Sequence, residues 1–164
     1  MRDLTQHLTS YAAYHRDRRN IATHFVGIPM ITVAVAALLG AAHPYAAYAV
    51  FGAATLYYLV LDLRLGLAMA AYSAASLAAG LPAGLIGGIV LFVVGWVIQF
   101  IGHYYEGKKP AFVDDLSGLL IGPLFIVTEL GFMLGMRRPL REAIESKTGP
   151  TRINPRPGTA TASR

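Results

Sequence analysis

The sequence predicts an all-α membrane protein, and its composition and charge pattern lead to that fold class. Of its 164 residues, 55% are hydrophobic and only 14% are charged, and the mean hydropathy is +0.50. Soluble domains carry about a quarter charged residues. No Asp, Glu, Lys or Arg occurs between Asn20 and Leu61, or between Leu65 and Tyr105. Because roughly 20 helical residues cross a ~30 Å hydrocarbon core, each gap has room for two transmembrane helices.

The order of elements follows from these gaps and from the breaks inside them. Residues 1–19 are predicted to form an amphipathic surface helix, because Leu4, Leu8 and Tyr11 recur at helical spacing. Asn20 is the predicted N-cap of the first span. About four spans are expected, separated by Gly/Pro turns or charged residues, at about 21–39, 45–61, 65–79 and 83–102.

The last apolar segment, 116–136, is predicted to be a re-entrant helical hairpin broken near Pro123 rather than a fifth span. Proline interrupts a helix, and Glu129 would be costly at membrane depth. Residues 1–136 would then form a single integral-membrane catalytic domain. The remaining 137–164, which hold seven Arg or Lys residues, are expected to be a basic, largely disordered tail.

With four spans, every charged segment lies on one side of the membrane. The positive-inside rule makes that side cytoplasmic, together with both termini. The Arg and Ala content favours a bacterial inner membrane. Topology and contacts with lipid headgroups account for the net charge of +5, so no nucleic-acid partner is predicted. The charged first 20 residues contain no apolar core of a cleavable signal peptide, and the lack of cysteine excludes disulfides and thiol chemistry.

Three of the five histidines, His15, His24 and His103, fall at or near the cytoplasmic ends of their segments. His7 is expected to be solvated and His43 to lie in the opposite loop. His15 and His24 are nine residues apart, so they converge only if the helix breaks within the polar run 16–19.

Glu106 follows His103 by one helical turn. The three histidines and Glu106 together form a candidate metal site. Three imidazoles and a carboxylate suit Fe(II), Zn(II) or Mn(II), and two histidines with one carboxylate are typical of non-haem iron oxygenases. The alternatives are that the histidines anchor the helices at the interface and that Glu106 is solvated. Glu129 is either functional or a structural hydrogen-bond partner.

The motif YH-x4-N-x3-H-x2-G-x-P, which begins at Tyr14, is followed by Gln99, Gly102-His103, Glu106, Pro110-Ala111, the segment 122–125 and Glu129. Over residues 11–129, this pattern resembles the family of small membrane proteins typified by the fungal 2-hydroxy fatty acid dioxygenase of the endoplasmic reticulum. The resemblance implies an Fe(II)-dependent dioxygenase that uses O2 to shorten long-chain 2-hydroxy fatty acids by one carbon.

The resemblance also implies roles for particular residues. It places the iron on the three motif histidines, His15, His24 and His103. It makes Asn20, Glu106 and Glu129 polar positions of the catalytic site. A substrate carboxylate at the cytoplasmic interface would lie within reach of Arg18 or Arg19, although a solvated face is the favoured interpretation of both arginines.

Two other classes of function remain open. His24 and His103 on facing helices are candidate axial ligands of a bis-His haem in an electron-transfer protein. A broken last segment with Glu129 is also typical of a small transporter. The sequence does not indicate an oligomeric state.

Overall fold

The computed structural model describes residues 3–43 and 45–154, and every regular element within them is helical. The α-helices are α1 (Leu4–Ala12), α2 (Arg18–Ala42), α3 (Ala46–Leu61), α4 (Leu63–Gly80), α5 (Gly84–Glu106), α6 (Gly118–Met133) and α7 (Arg138–Thr148). Short 3-10 turns at Leu81–Ala83 and Ala111–Val113 connect α4 to α5 and lead into α6. The all-helical prediction is confirmed for the described residues.

Helices occupy all four segments that the charge gaps predict as spans. Among the described residues, two helical stretches are long and apolar enough to cross a membrane, Arg18–Ala42 and the continuous stretch Leu63–Glu106. A third is possible if α6 and α7 are one span with a bend of 114° between them, whereas α3 is a shorter apolar helix. Membrane association follows from these helices.

The stretch Leu63–Glu106 folds back on itself at the 3-10 turn. Glycines along α5 face α2 in reverse order, with Gly88 at Ala37, Gly95 at Ile31 and Gly102 at Thr23. Near the end of α4, Ser76 contacts Thr32 and Gly80 lies beside Ala36, so α4 runs parallel to α2. This reversal returns the end of α5 to the beginning of α2.

Glycine allows α2 and α5 to approach closely over most of their length. A Cβ atom added at Gly27 would lie 2.9 Å from the backbone oxygen of Gly95 and 3.1 Å from Nε2 of Gln99. Small residues serve this purpose in membrane helix pairs, where backbone proximity replaces hydrophobic burial as the source of attraction. The pair α2–α5 is the most extensive helix contact of the fold and positions the candidate site.

Helix α1 lies against α6 and α7 and is amphipathic, as predicted, but it ends at Ala12, so the single helix predicted over 1–19 is interrupted at 13–17. Asp3 and Gln6 form a reciprocal capping box at its first turn, which satisfies two backbone N–H groups. Leu8 and Ala12 are completely buried on its inner face.

The predicted break near Pro123 is wrong, because α6 continues through that residue. Pro123 lies in the second turn of α6, where it removes only one backbone hydrogen bond, and the preceding Gly122 has no side chain to crowd its ring. The chain bends instead at 134–137, where Gly135 and Arg137 have φ values of 76° and 57°.

The prediction of a disordered tail is also wrong over Arg138–Thr148, which forms α7. Its amphipathic pattern explains the difference, since Ile144 is buried in the main core while charged residues cover the outer face. Residues 155–164, the remainder of the predicted tail, lie outside the described residues.

We predict that Gly27→Ala lowers the stability of the fold. The new methyl group would meet the backbone of α5, which cannot move without disturbing the whole pair, and such overpacking costs about 1–3 kcal/mol. Gly52→Ala in α3 is the matched control, because a Cβ atom there meets nothing within 4 Å. Thermal unfolding in detergent measures both variants. Equal unfolding temperatures would show that the close approach of α2 and α5 is not required.

Candidate metal centre

The chain interrupts its helical path between α1 and α2, and this interruption carries His15. Helix α1 ends at Ala12, and α2 begins at Arg18 with Asp17 as its N-cap, accepting a hydrogen bond from the N–H of Arg19. The helix therefore starts before Asn20, and the prediction of Asn20 as N-cap is wrong. Asn20 lies buried in the first turn instead. Because residues 13–17 are not helical, His15 is free of the periodicity that would place it opposite His24.

Three histidines from three parts of the chain meet in the interior. One ligand nitrogen from each of His15, His24 and His103 lies within 4.8 Å of the others. Their exposed fractions are 0%, 2% and 6%. The Nε2 atoms of His15 and His24 are 3.0 Å apart, and the ring of His103 lies 5.0 Å from both of the other ring centroids. The structure thus brings together all three of the predicted metal ligands.

Backbone carbonyl groups determine which nitrogens of two rings face the centre. Nδ1 of His15 donates to the carbonyl of Tyr11 at 2.8 Å, and Nδ1 of His24 donates to the carbonyl of Asn20 at 2.8 Å. A carbonyl only accepts, so both Nδ1 atoms carry the proton. In the neutral rings, both Nε2 atoms therefore direct lone pairs into the same small volume. Such an arrangement is repulsive unless a cation lies between them.

A proton is a poor candidate for that cation. Burial of the ring, followed by the charge of a protonated His24, holds the pKa of His15 well below its ordinary value, although the hydrogen bond to Tyr11 opposes this shift. His15 is consequently a neutral imidazole at physiological pH. Neutral imidazole is the form that binds a metal ion.

The donor set fits a divalent transition metal. Two nitrogens that bind one metal at about 2.1 Å and at right angles are separated by about 3.0 Å, which is the separation of these Nε2 atoms. Imidazole ligands suit iron, zinc, copper and nickel. The rings of His24 and His103 pack edge to face at 80° beside His15. A bis-His haem would need these rings on opposite faces of a flat macrocycle, and such close packing provides no slot for one.

Glu106 fixes the position of His15 and is not part of the ligand group. Its Oε2 atom accepts hydrogen bonds from the backbone N–H of Arg16 at 3.0 Å and of Asp17 at 2.7 Å, and from Nδ2 of Asn20 at 3.1 Å. The carboxylate thereby holds the interruption between α1 and α2 against the end of α5. Since His103 lies one turn earlier on α5, Glu106 brings His15 and His103 together.

Asn20 also acts on the site through its neighbours. Its backbone carbonyl holds the ring of His24, while its side-chain amide donates to the carbonyl of Tyr14 at 3.2 Å and to Glu106. Both Asn20 and Glu106 are buried. Their contacts make them positioning residues for the histidine group.

The other predicted site residues lie away from the histidines. Glu129 faces Nη2 of Arg16 at 3.6 Å and lines a separate cavity together with the exposed Arg18. Arg19 forms an ion pair with Asp17 at 2.7 Å, and its guanidinium lies 4.5 Å from the centre of the ring of Tyr105. Neither arginine lines the cavity next to the histidines.

His7 and His43 also lie outside the histidine group. His7 is half-buried, and its Nε2 lies 3.3 Å from the hydroxyl of Tyr57, so the expectation of a solvated side chain is only partly right. His43 is exposed at the end of α2.

A short C-terminal segment packs against the interruption that carries His15, and the sequence does not predict this contact. Asp17 accepts from the backbone N–H of Asn154 at 2.8 Å, and Arg152 forms an isolated parallel bridge with Asp17. Burial alone would raise the pKa of Asp17, but the hydrogen bonds from Arg19 and Asn154 hold it at about 2. The charged residues 16–19 are the one sequence feature that could have indicated this contact. Charged side chains in such a run are more simply interpreted as exposed to solvent.

A cavity of about 70 Å³ leads to the histidine group from the interior of the helix bundle. His24 and His103 form part of its wall, and α2, α5, α6 and the 3-10 turn Ala111–Val113 supply the rest. Ile28, Ile31 and Phe112 make most of this wall apolar. A small molecule that bound here would contact the candidate metal with a polar group and the protein with an apolar one.

We predict that Glu106→Ala lowers both stability and metal occupancy. The substitution leaves three hydrogen-bond donors without their acceptor, and each such group costs about 1–3 kcal/mol when buried. Residues that orient metal ligands typically alter metal affinity by about 10- to 100-fold. Metal content after dialysis and thermal unfolding measure the two effects.

Two further variants make this prediction specific. Glu106→Gln keeps an acceptor oxygen on a side chain of the same length, so this variant should retain most of the metal. Glu142→Ala removes an exposed carboxylate from α7 and should change nothing. Full metal occupancy in Glu106→Ala would contradict the positioning role.

Comparisons with known proteins identify relatives of this chain. The family model described as "2-hydroxy-palmitic acid dioxygenase Mpo1-like" matches residues 1–134. The chain is 27% identical over 153 residues to the 2-hydroxy-palmitic acid dioxygenase MPO1 of Saccharomyces cerevisiae, and the match covers 87% of this chain and 88% of the yeast protein. No solved structure matches the chain significantly. On the strength of the family match, this protein is a member of the Mpo1-like family.

Proposed function

We propose that this protein is an Fe(II)-dependent dioxygenase that shortens long-chain 2-hydroxy fatty acids by one carbon. The observation that carries the proposal is the pair of Nε2 lone pairs that face each other at 3.0 Å inside a buried group of three histidines. The name of the yeast relative supports the same substrate class. The family model gives the same description.

The chemistry of the substrate suits this group of ligands. A 2-hydroxy acid offers a carboxylate oxygen and a hydroxyl group as a chelating pair, and a metal held by three histidines alone would have capacity for both. Fe(II) bound here would supply a Lewis acid and a redox centre for O2 chemistry. His15, His24 and His103 hold that ion, Glu106 and Asn20 orient the rings, and the packed helices exclude water.

Iron is preferred over zinc for a reason that follows from the reaction. Zn(II) has no redox chemistry, whereas oxidative removal of a carbon transfers electrons from the substrate to O2. The ligand set differs from two histidines and one carboxylate, because Glu106 turns towards the backbone of Arg16 and Asp17. Three histidines would supply the same number of protein ligands.

The proposed reaction balances with one O2 for each substrate molecule. The 2-hydroxy acid and O2 together give the acid shorter by one carbon, CO2 and water. Four electrons leave the substrate and reduce both oxygen atoms. The protein therefore needs no second reductant.

We further propose that the site faces the cytoplasm in a bacterial inner membrane. Four membrane helices α2 to α5, with α6 re-entering from the same side, would place all charged segments and both termini at one face. The histidine group lies at that face, beside the basic run 16–19. The fatty acid would then lie among the helices with its carboxylate at the interface.

We predict that His24→Ala and His103→Ala each abolish iron retention while the protein remains folded in detergent. Both residues supply a ligand nitrogen, so either substitution leaves only two imidazoles. Elemental analysis after gel filtration measures the iron. His43→Ala is the control, because His43 is exposed at the end of α2 and outside the ligand group. Full iron in both ligand variants would overturn the ligand assignment.

We predict substrate-dependent O2 uptake with a ratio of one O2 to one shortened acid. The assay uses purified protein reconstituted with Fe(II) and 2-hydroxypalmitate, and product analysis gives the chain length. Palmitate, which lacks the 2-hydroxyl group, should give no uptake because it cannot form the chelate. A Soret band in the visible spectrum, or no uptake by folded, iron-loaded protein, would argue against the dioxygenase.

A further inference from the structure

An apolar groove lies in the middle of the helix bundle, beside the cavity next to the histidines. The groove has a volume of about 310 Å³ and lies between α2, α3, α4, α5 and α6. It shares part of its wall with the histidine cavity, including Ile31, Trp96, Leu119 and Pro123. The two spaces are therefore neighbours that share part of one wall. The histidines line only the smaller one.

Two buried polar atoms near this junction have no hydrogen-bond partner among the described residues. Nε1 of Trp96 is a donor, and Oε1 of Gln99 is an acceptor. Gln99 is only 4% exposed and lines the histidine cavity, one turn before His103 on α5. Because an unpaired buried polar group is costly, such groups in a cavity indicate a ligand that completes their hydrogen bonds.

The other polar groups of the groove are already satisfied. The hydroxyl of Tyr72 lies 2.7 Å from that of Thr32, and the hydroxyl of Tyr58 donates to the carbonyl of Leu120 at 2.7 Å. Ser73 accepts from Thr55 at 3.2 Å. The unmet hydrogen-bonding capacity thus lies at the histidine end, and the remaining length is apolar. A ligand that matches this distribution has a compact polar head and a hydrocarbon chain.

We infer that the groove holds the acyl chain of the 2-hydroxy fatty acid, while Trp96 and Gln99 bind its polar head beside the histidines. The N–H of Trp96 suits a carboxylate oxygen, and the amide oxygen of Gln99 suits the proton of the 2-hydroxyl group. This inference rests on the proposed function and adds to it the path of the chain and two specificity residues. A bilayer lipid in the groove is the competing outcome.

Trp96 provides a direct measurement, because it is the only tryptophan of the chain. Bromine atoms on an acyl chain quench tryptophan fluorescence on contact, so 9,10-dibromostearate should quench Trp96 in metal-free protein. The quenching should saturate near one acid per protein, and 2-hydroxypalmitate should reverse it. The measurement needs neither iron nor turnover, so it separates failure of the groove from failure of the proposed reaction.

Ala54→Phe tests whether the acid lies in the groove rather than in the surrounding detergent. Ala54 is half-buried and lines the groove from α3, so a phenyl ring there fills the space. We expect at least a tenfold weaker apparent affinity for dibromostearate. Ala53→Phe, one residue earlier and exposed, should behave as wild type. Equal quenching in both variants, or no saturation, would assign the signal to lipid or detergent and overturn the inference.

Turnover with two chain lengths provides a second readout of the same variant. Ala54→Phe should lose at least tenfold in activity towards 2-hydroxypalmitate but retain activity towards 2-hydroxyoctanoate. Ala54→Leu is a smaller change and should give an intermediate shift. Iron content shows that each variant is folded. Parallel losses for both acids in an iron-loaded variant would overturn the inference.

Gln99→Leu tests recognition of the head. In wild type, 2-hydroxypalmitate should displace dibromostearate at a lower concentration than palmitate does. The substitution should reduce this advantage by about tenfold and leave the displacement by palmitate unchanged. An unchanged preference for the 2-hydroxy acid would show that Gln99 does not contact the hydroxyl group.

Discussion

The hydrogen bonds to a single carboxylate oxygen control the geometry of the site. Oε2 of Glu106 receives the N–H groups of Arg16 and Asp17 at the interruption between the first two helices. In a buried environment such charge-assisted bonds are strong and directional. They fix the end of the turn between α1 and α2, where the N–H groups of Arg16 and Asp17 have no helical acceptor, and His15 directly precedes these residues. The contacts of the ring with Tyr11 and His24 orient His15, while this anchor ties its backbone to the end of α5, where His103 lies.

The orientation of the rings has a second, independent source. His15 and His24 are each held by the carbonyl group four residues earlier, Tyr11 and Asn20 respectively. Backbone acceptors of this kind set the tautomer and the direction of Nε2 without adding charge to the site. Each of these hydrogen bonds joins a histidine to the residue four positions earlier, so the local chain is sufficient to form it. Only the tertiary fold brings the two rings together.

The hydrogen bonds of Glu106 and of the histidine rings show which features the sequence could predict and which it could not. Uninterrupted apolar runs fix the positions of α2 to α5, and the motif identifies all three histidines. The role of Glu106 was not accessible, because its partners are backbone groups 90 and 89 residues away that have no sequence signature. Pro123 misled because a proline early in a helix removes only one hydrogen bond. The order of 138–148 depends on burying Ile144 against distant helices, which composition does not reveal.

The charge of the histidine group supports the anionic substrate that we propose. Three neutral imidazoles do not reduce the charge of a divalent ion, and burial makes an uncompensated charge unfavourable. The carboxylate of Glu106 is already engaged by three donors, and Glu129 faces Arg16. The proposed substrate, with a carboxylate next to its hydroxyl, would supply the missing negative charge and two ligand atoms at once. A neutral lipid of the same chain length supplies neither, so the same apolar groove would hold it less firmly.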